Sequence, residues 1–207
     1  MADLNIKLHH GDLPADVKLG NLVAMDCEMM GLNPLRDKLC LVQISDNGKD
    51  VHLVKFDVTK PYNAPNLVAL LEDASKEKIF HYAVPDLATL TQHTNAKPVN
   101  IYCTKMASKL ARCYAPSHSL KNLTKDMLGI ELSKEMQLTN WGAEELSEGQ
   151  LSYAASDVEH LHALKGLLDK ELVKLDRVET HQEICKFLPT LAKLELQGWD
   201  SSILNHH

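Results

Sequence analysis

The sequence predicts an α/β fold in which a mixed five-stranded sheet is flanked by helices. Two observations carry this prediction: three strand-like apolar runs lie close together in the first third of the chain, and helical and strand-like patterns alternate after them. With 207 residues, of which 44% are hydrophobic, the chain can bury a substantial core. We expect a single domain over residues 1–207, with its core at about residues 20–175 and a helical tail at residues 176–207.

The first three strands are predicted by their length and composition. Residues 22–28, 38–45 and 50–56 are short runs rich in leucine and valine, which is typical of buried strands. The turn residues at 46–48 (Asp-Asn-Gly) link the second run to the third and predict a hairpin. The sheet therefore starts with an antiparallel meander.

Helices and strands alternate along the middle of the chain. Residues 66–71 and 86–93 have helical patterns, whereas residues 78–81 and 99–102 are short apolar runs that predict strands. Helical patterns dominate afterwards. Together with the meander, this order predicts a sheet that contains both parallel and antiparallel pairs.

Charge is distributed unevenly along the chain. A net charge of −6 argues against a protein that grips long duplex nucleic acid, because such domains carry a strong basic excess. Between Asp86 and Asp126 there is no acidic residue, and the same span holds six basic ones: Lys97, Lys105, Lys109, Arg112, Lys121 and Lys125. A solvated helix face is the simpler interpretation. Beside a cation site, the same span would suit the binding of phosphates.

The sequence gives no indication of export or of a membrane span. The first twenty residues lack the apolar run of a signal peptide, and no stretch approaches the roughly 18 apolar residues that a membrane helix needs. The five cysteines are odd in number and form no C-x-x-C pair, which favours reduced core thiols. We expect a soluble cytoplasmic protein.

Asp26 and Glu28 end the apolar run of the first predicted strand. Side chains at positions i and i+2 of a strand point to the same face, so we expect the two carboxylates to lie together. Two like charges at the edge of a core are costly unless a positive group neutralises them, and hard cations such as Mg²⁺ prefer oxygen ligands. The pair is interpreted as half of a cation site.

A third carboxylate, Asp86, directly follows Pro85 at the start of a predicted helix. Proline suits a helix start, and an acidic side chain in the first turn is favoured by the helix dipole, so capping alone would explain Asp86. The alternative is a metal ligand at a strand-to-helix junction. Its position in the sequence does not separate the two.

Tyr153 and Asp157 lie four residues apart in a predicted helical segment, residues 147–175, which opens with a capping-box pattern at Ser147 and Gln150. Residues at this spacing share one face of a helix. In isolation, the pair is more simply a core aromatic and a surface charge. In the company of the three other acids, it completes a set of four carboxylates and one tyrosine.

In the order D-x-E, D, Y-x-x-x-D, these residues resemble the DEDD superfamily of 3′-to-5′ exonucleases, in the tyrosine-bearing branch typified by ribonuclease D. The matching segments are VAMDCEMMGL, FHYAVPDLATL and LSYAASDVEHL. Further segments resemble the nano-RNase C group of small bacterial enzymes: KLCLVQIS, CTKMASKLARCY, HSLKNL, residues 134–141 and the tail FLPTLAKLELQGW. The resemblance implies a ribonuclease H-like exonuclease fold.

The resemblance also implies roles for the five residues. Two divalent cations, Mg²⁺ or Mn²⁺, would be bound by the four carboxylates, with Asp26 shared between them, Glu28 and Asp157 completing one site, and Asp86 helping to hold the second. Tyr153 would orient or deprotonate the attacking water. Hydrolysis would release nucleoside 5′-monophosphates from a 3′ end.

Substrate-binding residues are implied in the same way. Met29 and Leu32 belong to a segment similar to that of oligoribonuclease, whose leucine wedges against the terminal bases, and Tyr82 is a candidate for stacking. Three residues are candidates for phosphate contacts: His81, His118 and Lys121. Ordinary loop packing is the alternative for Leu32, and ordinary buried or surface positions are the alternatives for the histidines.

The tail carries much apolar surface after the helix of Tyr153. Its large apolar residues are Phe187, Leu188, Leu191, Leu194, Leu196, Trp199, Ile203 and Leu204. Packing against the same subunit is the simpler explanation, whereas exposed apolar patches of this kind mark interfaces. The resemblance implies a ring-like homo-oligomer, an octamer, in which the tail makes contacts.

The expected function is therefore hydrolysis of very short oligonucleotides, dinucleotides above all. About forty residues after the helix of Asp157 are too few for the separate helical domain that helps ribonuclease D to hold longer RNA. Two alternatives stay open: an exonuclease that trims longer RNA or DNA, and a non-catalytic protein that binds nucleic acid. The second is disfavoured because all five site residues are present.

Overall fold

Six strands form one mixed sheet in the computed structural model, which describes residues 4–132, 136, 138–199 and 201–205. The segment at residues 134–141, which resembles the exonuclease family, falls partly outside the described residues, at positions 134, 135 and 137. In chain order the strands are β1 (Asn5–His10), β2 (Leu22–Met29), β3 (Leu39–Ser45), β4 (Asp50–Lys55), β5 (Glu77–Phe80) and β6 (Ile101–Cys103). Across the sheet they lie in the order β1-β4-β3-β2-β5-β6. The pairs β2–β3 and β3–β4 are antiparallel, and the other three pairs are parallel.

The predicted α/β class and mixed sheet are confirmed, but the predicted number of strands, five, is wrong. The additional strand is β1, which pairs in parallel with β4 at the edge of the sheet. Its sequence, NIKLHH, is polar, and four of its six residues are exposed. The run alternates only over Ile6 and Leu8 and then ends in two histidines, so its two apolar residues are too few to predict a strand.

Seven helices flank the sheet in the described part of the chain. They are α1 (Pro65–Glu72), α2 (Ala83–Thr94), α3 (Thr104–Ala111), α4 (Leu120–Leu128), α5 (Glu148–Glu159), α6 (Leu161–Lys174) and α7 (Val178–Leu196), and a 3₁₀ turn follows at Ser201–Leu204. The segment predicted as helical at residues 147–175 is two helices that meet at His160. Because neither Pro nor Gly marks this junction, the helical periodicity continues through it.

The two faces of the sheet pack against different helices. Val23, Met25 and Cys27 of β2 point into one apolar cluster, which α2 and α7 complete. Ala24 points the opposite way, into a second cluster completed by α5 and α6. Asp26 follows Ala24 at the i+2 position, so it continues the face that α5 covers.

Some apolar side chains of the tail pack against the core, and others are exposed. Leu188 and Ala192 of α7 are buried against the first cluster, with Leu191 and Leu196 partly buried beside them. Other apolar side chains of the tail stay exposed: Phe187, Trp199, Ile203 and Leu204. None of the helices in the described residues combines the length and the apolar character that crossing a membrane requires.

Candidate active site

Asp26, Glu28 and Asp157 meet at one end of the sheet. Each offers a carboxylate oxygen, and these three oxygens all lie within 4.8 Å of one another. The strand β2 supplies Asp26 and Glu28 from one face, because they are two residues apart. The helix α5 crosses that face and supplies Asp157.

Asp86 approaches the same strand from α2. The strand β5 pairs with β2 only as far as Ala24, so the backbone of β2 beyond that point lacks a neighbouring strand on this side. The buried Asp86 side chain occupies that side and hydrogen-bonds both the backbone and the thiol of Cys27. Its helix starts at Ala83 rather than at the predicted residue 86, with the backbone of Tyr82 in a left-handed conformation (φ 67°) at the N-cap. Asp86 is therefore not the cap, although it lies in the first turn.

Burial raises the pKa of all four carboxyl groups. The pKa of Asp26 lies well above its usual range, because burial and then the charges of Asp86, Asp157 and Glu28 disfavour ionisation. Burial, and then the charges of Asp157 and Asp86, raise the pKa of Glu28 to about 9, and burial raises that of Asp157 to about 7. Burial is also the chief cause that raises the pKa of Asp86 well above its usual range.

The cluster fits a divalent cation. Among the described residues, no lysine, arginine or histidine forms an ion pair with any of the four acids. Buried carboxylates without a basic partner repel one another, and hard divalent cations with oxygen ligands relieve that repulsion. The donor set, four carboxylates and no sulfur or imidazole, is suited to Mg²⁺ or Mn²⁺.

Tyr153 lies one helical turn before Asp157 on α5, and the start of that helix is fixed by a capping box. Ser147 Oγ accepts from the Gln150 backbone N–H at 3.2 Å, and the Ser147 N–H donates to Gln150 Oε1 at 3.0 Å. The Tyr153 ring lies 6.0 Å from the ring of the buried Trp141. Burial first, and then the charge of Asp157, raises the pKa of the Tyr153 phenol above its ordinary value. The phenol therefore stays protonated at neutral pH and can donate a hydrogen bond.

An apolar groove opens beside the start of α2, and none of the four acids is among its lining residues. Leu32 follows β2, and Tyr82 precedes α2, so both flank the elements that carry the acids. The Leu32 side chain is 94% exposed and Tyr82 is half-exposed. They line a groove of about 690 Å³ whose other walls include Leu191 and Trp199 of the tail.

Helix α3 holds two of the predicted phosphate-binding histidines through a pair of hydroxyls. Thr104 Oγ1 lies 2.9 Å from His81 Nδ1, and Ser108 Oγ lies 2.9 Å from His118 Nδ1. Thr104 and Ser108 are four residues apart and share a helix face. Burial lowers the pKa of both histidines, to about 4 for His81, and the charge of the nearby Lys105 lowers both further.

Sequence reasoning missed Thr104 and Ser108 as site residues, and it included Lys105 only as one of six residues in a basic span. The Lys105 ammonium lies over the Tyr82 ring, 3.6 Å from its centre. The signal that would have found the hydroxyls is their i, i+4 spacing within CTKMASKLARCY, where buried small polar residues interrupt an otherwise apolar face.

The two remaining predicted substrate residues lie in different settings. Met29 is partly buried and its sulfur accepts a hydrogen bond from Thr89 of α2 at 2.8 Å, so this side chain faces α2. Lys121 is partly buried on α4, and its ammonium forms no hydrogen bond or ion pair with a described residue.

The fold and the acid cluster define a class of protein that sequence comparison supports. The sequence model of the 3′-5′ exonuclease family matches residues 11–173, and the chain belongs to this family. Within the family it is of the ribonuclease D and NrnC type. It is similar to NrnC of Brucella melitensis bound to pGG, with 41% identity, a TM-score of 0.93, and coverage of 99% of this chain and 100% of that one. The same protein with bound Mg²⁺ gives 41% identity and a TM-score of 0.92 over 99% of this chain and 100% of that one.

Ribonuclease D proteins match over a smaller part of their length. That of Haemophilus influenzae is 33% identical over 180 residues, which are 86% of this chain and 44% of the relative. The chain spans about two fifths of the length of these ribonuclease D relatives. The structure of Escherichia coli RNase D, at 24% identity and a TM-score of 0.72 over 83% of this chain and 46% of that one, shares the fold.

Proposed function

We propose that this chain is a metal-dependent 3′-to-5′ exoribonuclease that hydrolyses very short oligonucleotides, dinucleotides above all, to nucleoside 5′-monophosphates. The observation that carries the proposal is the cluster of Asp26, Glu28 and Asp157, with the charge of Asp86 close to Asp26 and no basic partner among the described residues. The groove volume of about 690 Å³ lies within the roughly 300–1,000 Å³ typical of small-molecule sites. The similarity to NrnC bound to pGG favours short substrates.

Two divalent cations, Mg²⁺ or Mn²⁺, would be held by the cluster. Asp26, Glu28 and Asp157 would be the ligands of one, and Asp26 with Asp86 would help to hold the other. When bound, such ions acidify a water molecule and stabilise the charge that develops on the phosphoryl oxygens. The four carboxylates would fix the positions of these ions.

Tyr153 orients the attacking water. Its phenol would hydrogen-bond this water or accept its proton, and burial raises the pKa of the phenol in the metal-free protein. The packing of its ring near Trp141, and the capping box at the start of α5, hold the phenol in place. Orientation of this kind is worth about 10²- to 10⁴-fold in rate.

The groove binds the bases. An exposed leucine costs solvation free energy in the free protein, and contact of Leu32 with a base removes that apolar surface from water. Tyr82 offers a ring face to which any base can stack, and Lys105 already lies over that ring. Neither contact reads a base edge, so cleavage is expected to be tolerant of sequence.

The histidines and lysines on and around α3 bind the phosphate at the 5′ end of a short substrate. His81 and His118 are held by hydroxyls, with Lys105 close enough to depress their pKa values. Lys121 adds a further positive charge. An anion placed among these groups is attracted by the lysine charges and can accept a hydrogen bond from an imidazole N–H.

We further propose that the chain forms a homo-oligomer, an octamer, through the exposed part of its tail. The exposed apolar side chains of Phe187, Ile203 and Leu204 supply apolar surface that a second copy would cover. Light scattering is expected to give the mass of an octamer, and a monomeric mass would contradict the proposal. The cytoplasmic location stays a prediction.

Activity on substrates of graded length tests the function. Purified protein with Mg²⁺ or Mn²⁺ is incubated with 5′-labelled RNA of two to twenty nucleotides and with DNA of the same lengths. We expect efficient cleavage only of species of two to three nucleotides and none after chelation of the metal. Equal or better cleavage of twenty-mers would instead support trimming of longer RNA or DNA, and no cleavage with either metal would support a binding protein.

A further inference from the structure

Gln43 is a buried polar residue that the proposed reaction leaves without a role. It is 0% exposed and lies on β3, directly opposite Asp26 in the antiparallel pairing with β2. Directly opposed residues of such a pair project from the same face with Cβ atoms about 4.5–5.5 Å apart. Gln43 therefore lies beside the acid cluster, on the face of the sheet that α5 covers.

The surroundings of Gln43 would suit an apolar side chain. On its other flank it is paired with Leu53 of β4, which is fully buried. Its amide oxygen Oε1 is buried and accepts no hydrogen bond from any described residue. An unpartnered buried amide oxygen destabilises a fold, so packing and stability do not explain a glutamine at this position.

The other end of the amide points to the acid cluster. Gln43 Nε2 donates to Asp26 Oδ2 over 3.5 Å, which is the outer limit of a hydrogen bond. An amide N–H is uncharged, unlike a lysine or arginine side chain in the same place. It can therefore orient the Asp26 carboxylate without replacing the cation that this carboxylate would bind.

We propose that Gln43 is a positioning residue that holds one oxygen of Asp26 and so directs the rest of that carboxylate to the cations. The inference rests on the proposed function, because it assumes that Asp26 is a metal ligand. Groups that hydrogen-bond a metal ligand from behind fix its orientation, and their loss typically costs roughly 10- to 100-fold in metal affinity.

Binding of Mn²⁺ to the protein without substrate tests the role apart from activity. Gln43→Met keeps the side-chain length and removes the donor, and Gln43→Asn keeps the amide but is too short to reach Asp26 Oδ2. In titration calorimetry we expect both variants to weaken Mn²⁺ binding about tenfold or more. The Mg²⁺ concentration for half-maximal dinucleotide hydrolysis is expected to rise in parallel.

Ser45→Ala is the matched control. Ser45 is fully buried two residues further along the same face of β3, and its Oγ accepts a hydrogen bond from the Gly48 N–H at 3.0 Å. This variant removes a buried polar group and lowers the melting temperature, but it leaves the affinity for Mn²⁺ unchanged. If Ser45→Ala weakens Mn²⁺ binding as the Gln43 variants do, the loss of affinity follows from lower stability, and the inference is overturned.

Failure of this inference and failure of the proposed function give different results. If the wild-type protein binds Mn²⁺ and both Gln43 variants bind it within about twofold of the wild type, the positioning role is wrong and the metal site stands. If the wild-type protein binds no Mn²⁺ and its melting temperature does not respond to the metal, the proposed function is wrong and the role of Gln43 falls with it.

Discussion

Ser108 Oγ and His118 Nδ1 are joined by a hydrogen bond of 2.9 Å between helix α3 and the loop that leads into α4. This contact fixes the orientation of an imidazole that is surrounded by positive charge, since Arg112, Lys109 and Lys105 all lower the pKa of His118 after burial does. A side chain held in this way is prepared for an anion before the anion arrives. Ser108 is thus a positioning residue for the proposed phosphate contact.

Ser108→Ala is expected to raise KM for a dinucleotide with a 5′-phosphate by roughly two- to tenfold, the worth of one hydrogen bond, with kcat nearly unchanged. KM for the same dinucleotide without the 5′-phosphate should stay the same. Steady-state kinetics on the two substrates measures the difference. Thr94→Val, which removes a hydroxyl bonded to the Leu90 carbonyl on α2, is the control. Equal losses on both substrates would contradict a phosphate contact.

Tyr153→Phe is expected to lower kcat by on the order of 10²-fold or more, because the phenol O–H that orients the attacking water is lost. The ring and its contact with Trp141 are retained, so KM and the melting temperature should change little. Kinetics at saturating Mg²⁺, with a melting curve as the control, measures the effect. Full activity in the variant would remove Tyr153 from the mechanism.

The stability of the metal-free protein should fall as the pH rises toward about 9. The pKa of Glu28 is raised from 4.5 to about 9 in the folded protein, so this group binds more protons folded than unfolded. Its contribution is fully present below about pH 4.5 and is lost as the pH rises through about 9. Asp157, with its pKa raised from 3.8 to about 7, acts in the same direction. Melting temperatures in EDTA across this range measure the fall, and Mg²⁺ should reverse it most strongly at high pH.

Glu28→Gln isolates this effect. The variant lacks the raised carboxyl pKa and one member of the repelling cluster, so we expect a higher melting temperature than the wild type in EDTA at pH 8, with a flatter dependence on pH. Added Mg²⁺ should stabilise the variant much less than the wild type, and hydrolysis should be lost. A variant that is less stable than the wild type in EDTA at pH 8 would show that the Glu28 carboxyl group does not destabilise the metal-free fold.

The sequence could predict the acid cluster because strand and helix periodicity act locally. The two-residue spacing of Asp26 and Glu28 and the four-residue spacing of Tyr153 and Asp157 each define a face without knowledge of the fold. The strand β1 could not be predicted this way, because its pairing with β4 joins residues about 45 positions apart and leaves a polar edge. The proximity of Gln43 to Asp26 could not be predicted either, because it depends on the register of two strands.

Leu32 offers a test in which stability and activity separate. Its side chain is 94% exposed, so Leu32→Ala should change the free energy of unfolding by no more than about 0.5 kcal/mol. If the leucine packs against a base in the complex, kcat/KM for a dinucleotide should fall roughly tenfold or more, the worth of burying such a side chain. Leu138→Ala is the matched control, because Leu138 is 97% exposed. Unchanged kinetics in Leu32→Ala would mean that the bases bind elsewhere in the groove, whereas equal losses in both variants would point to a general effect of truncating exposed leucines.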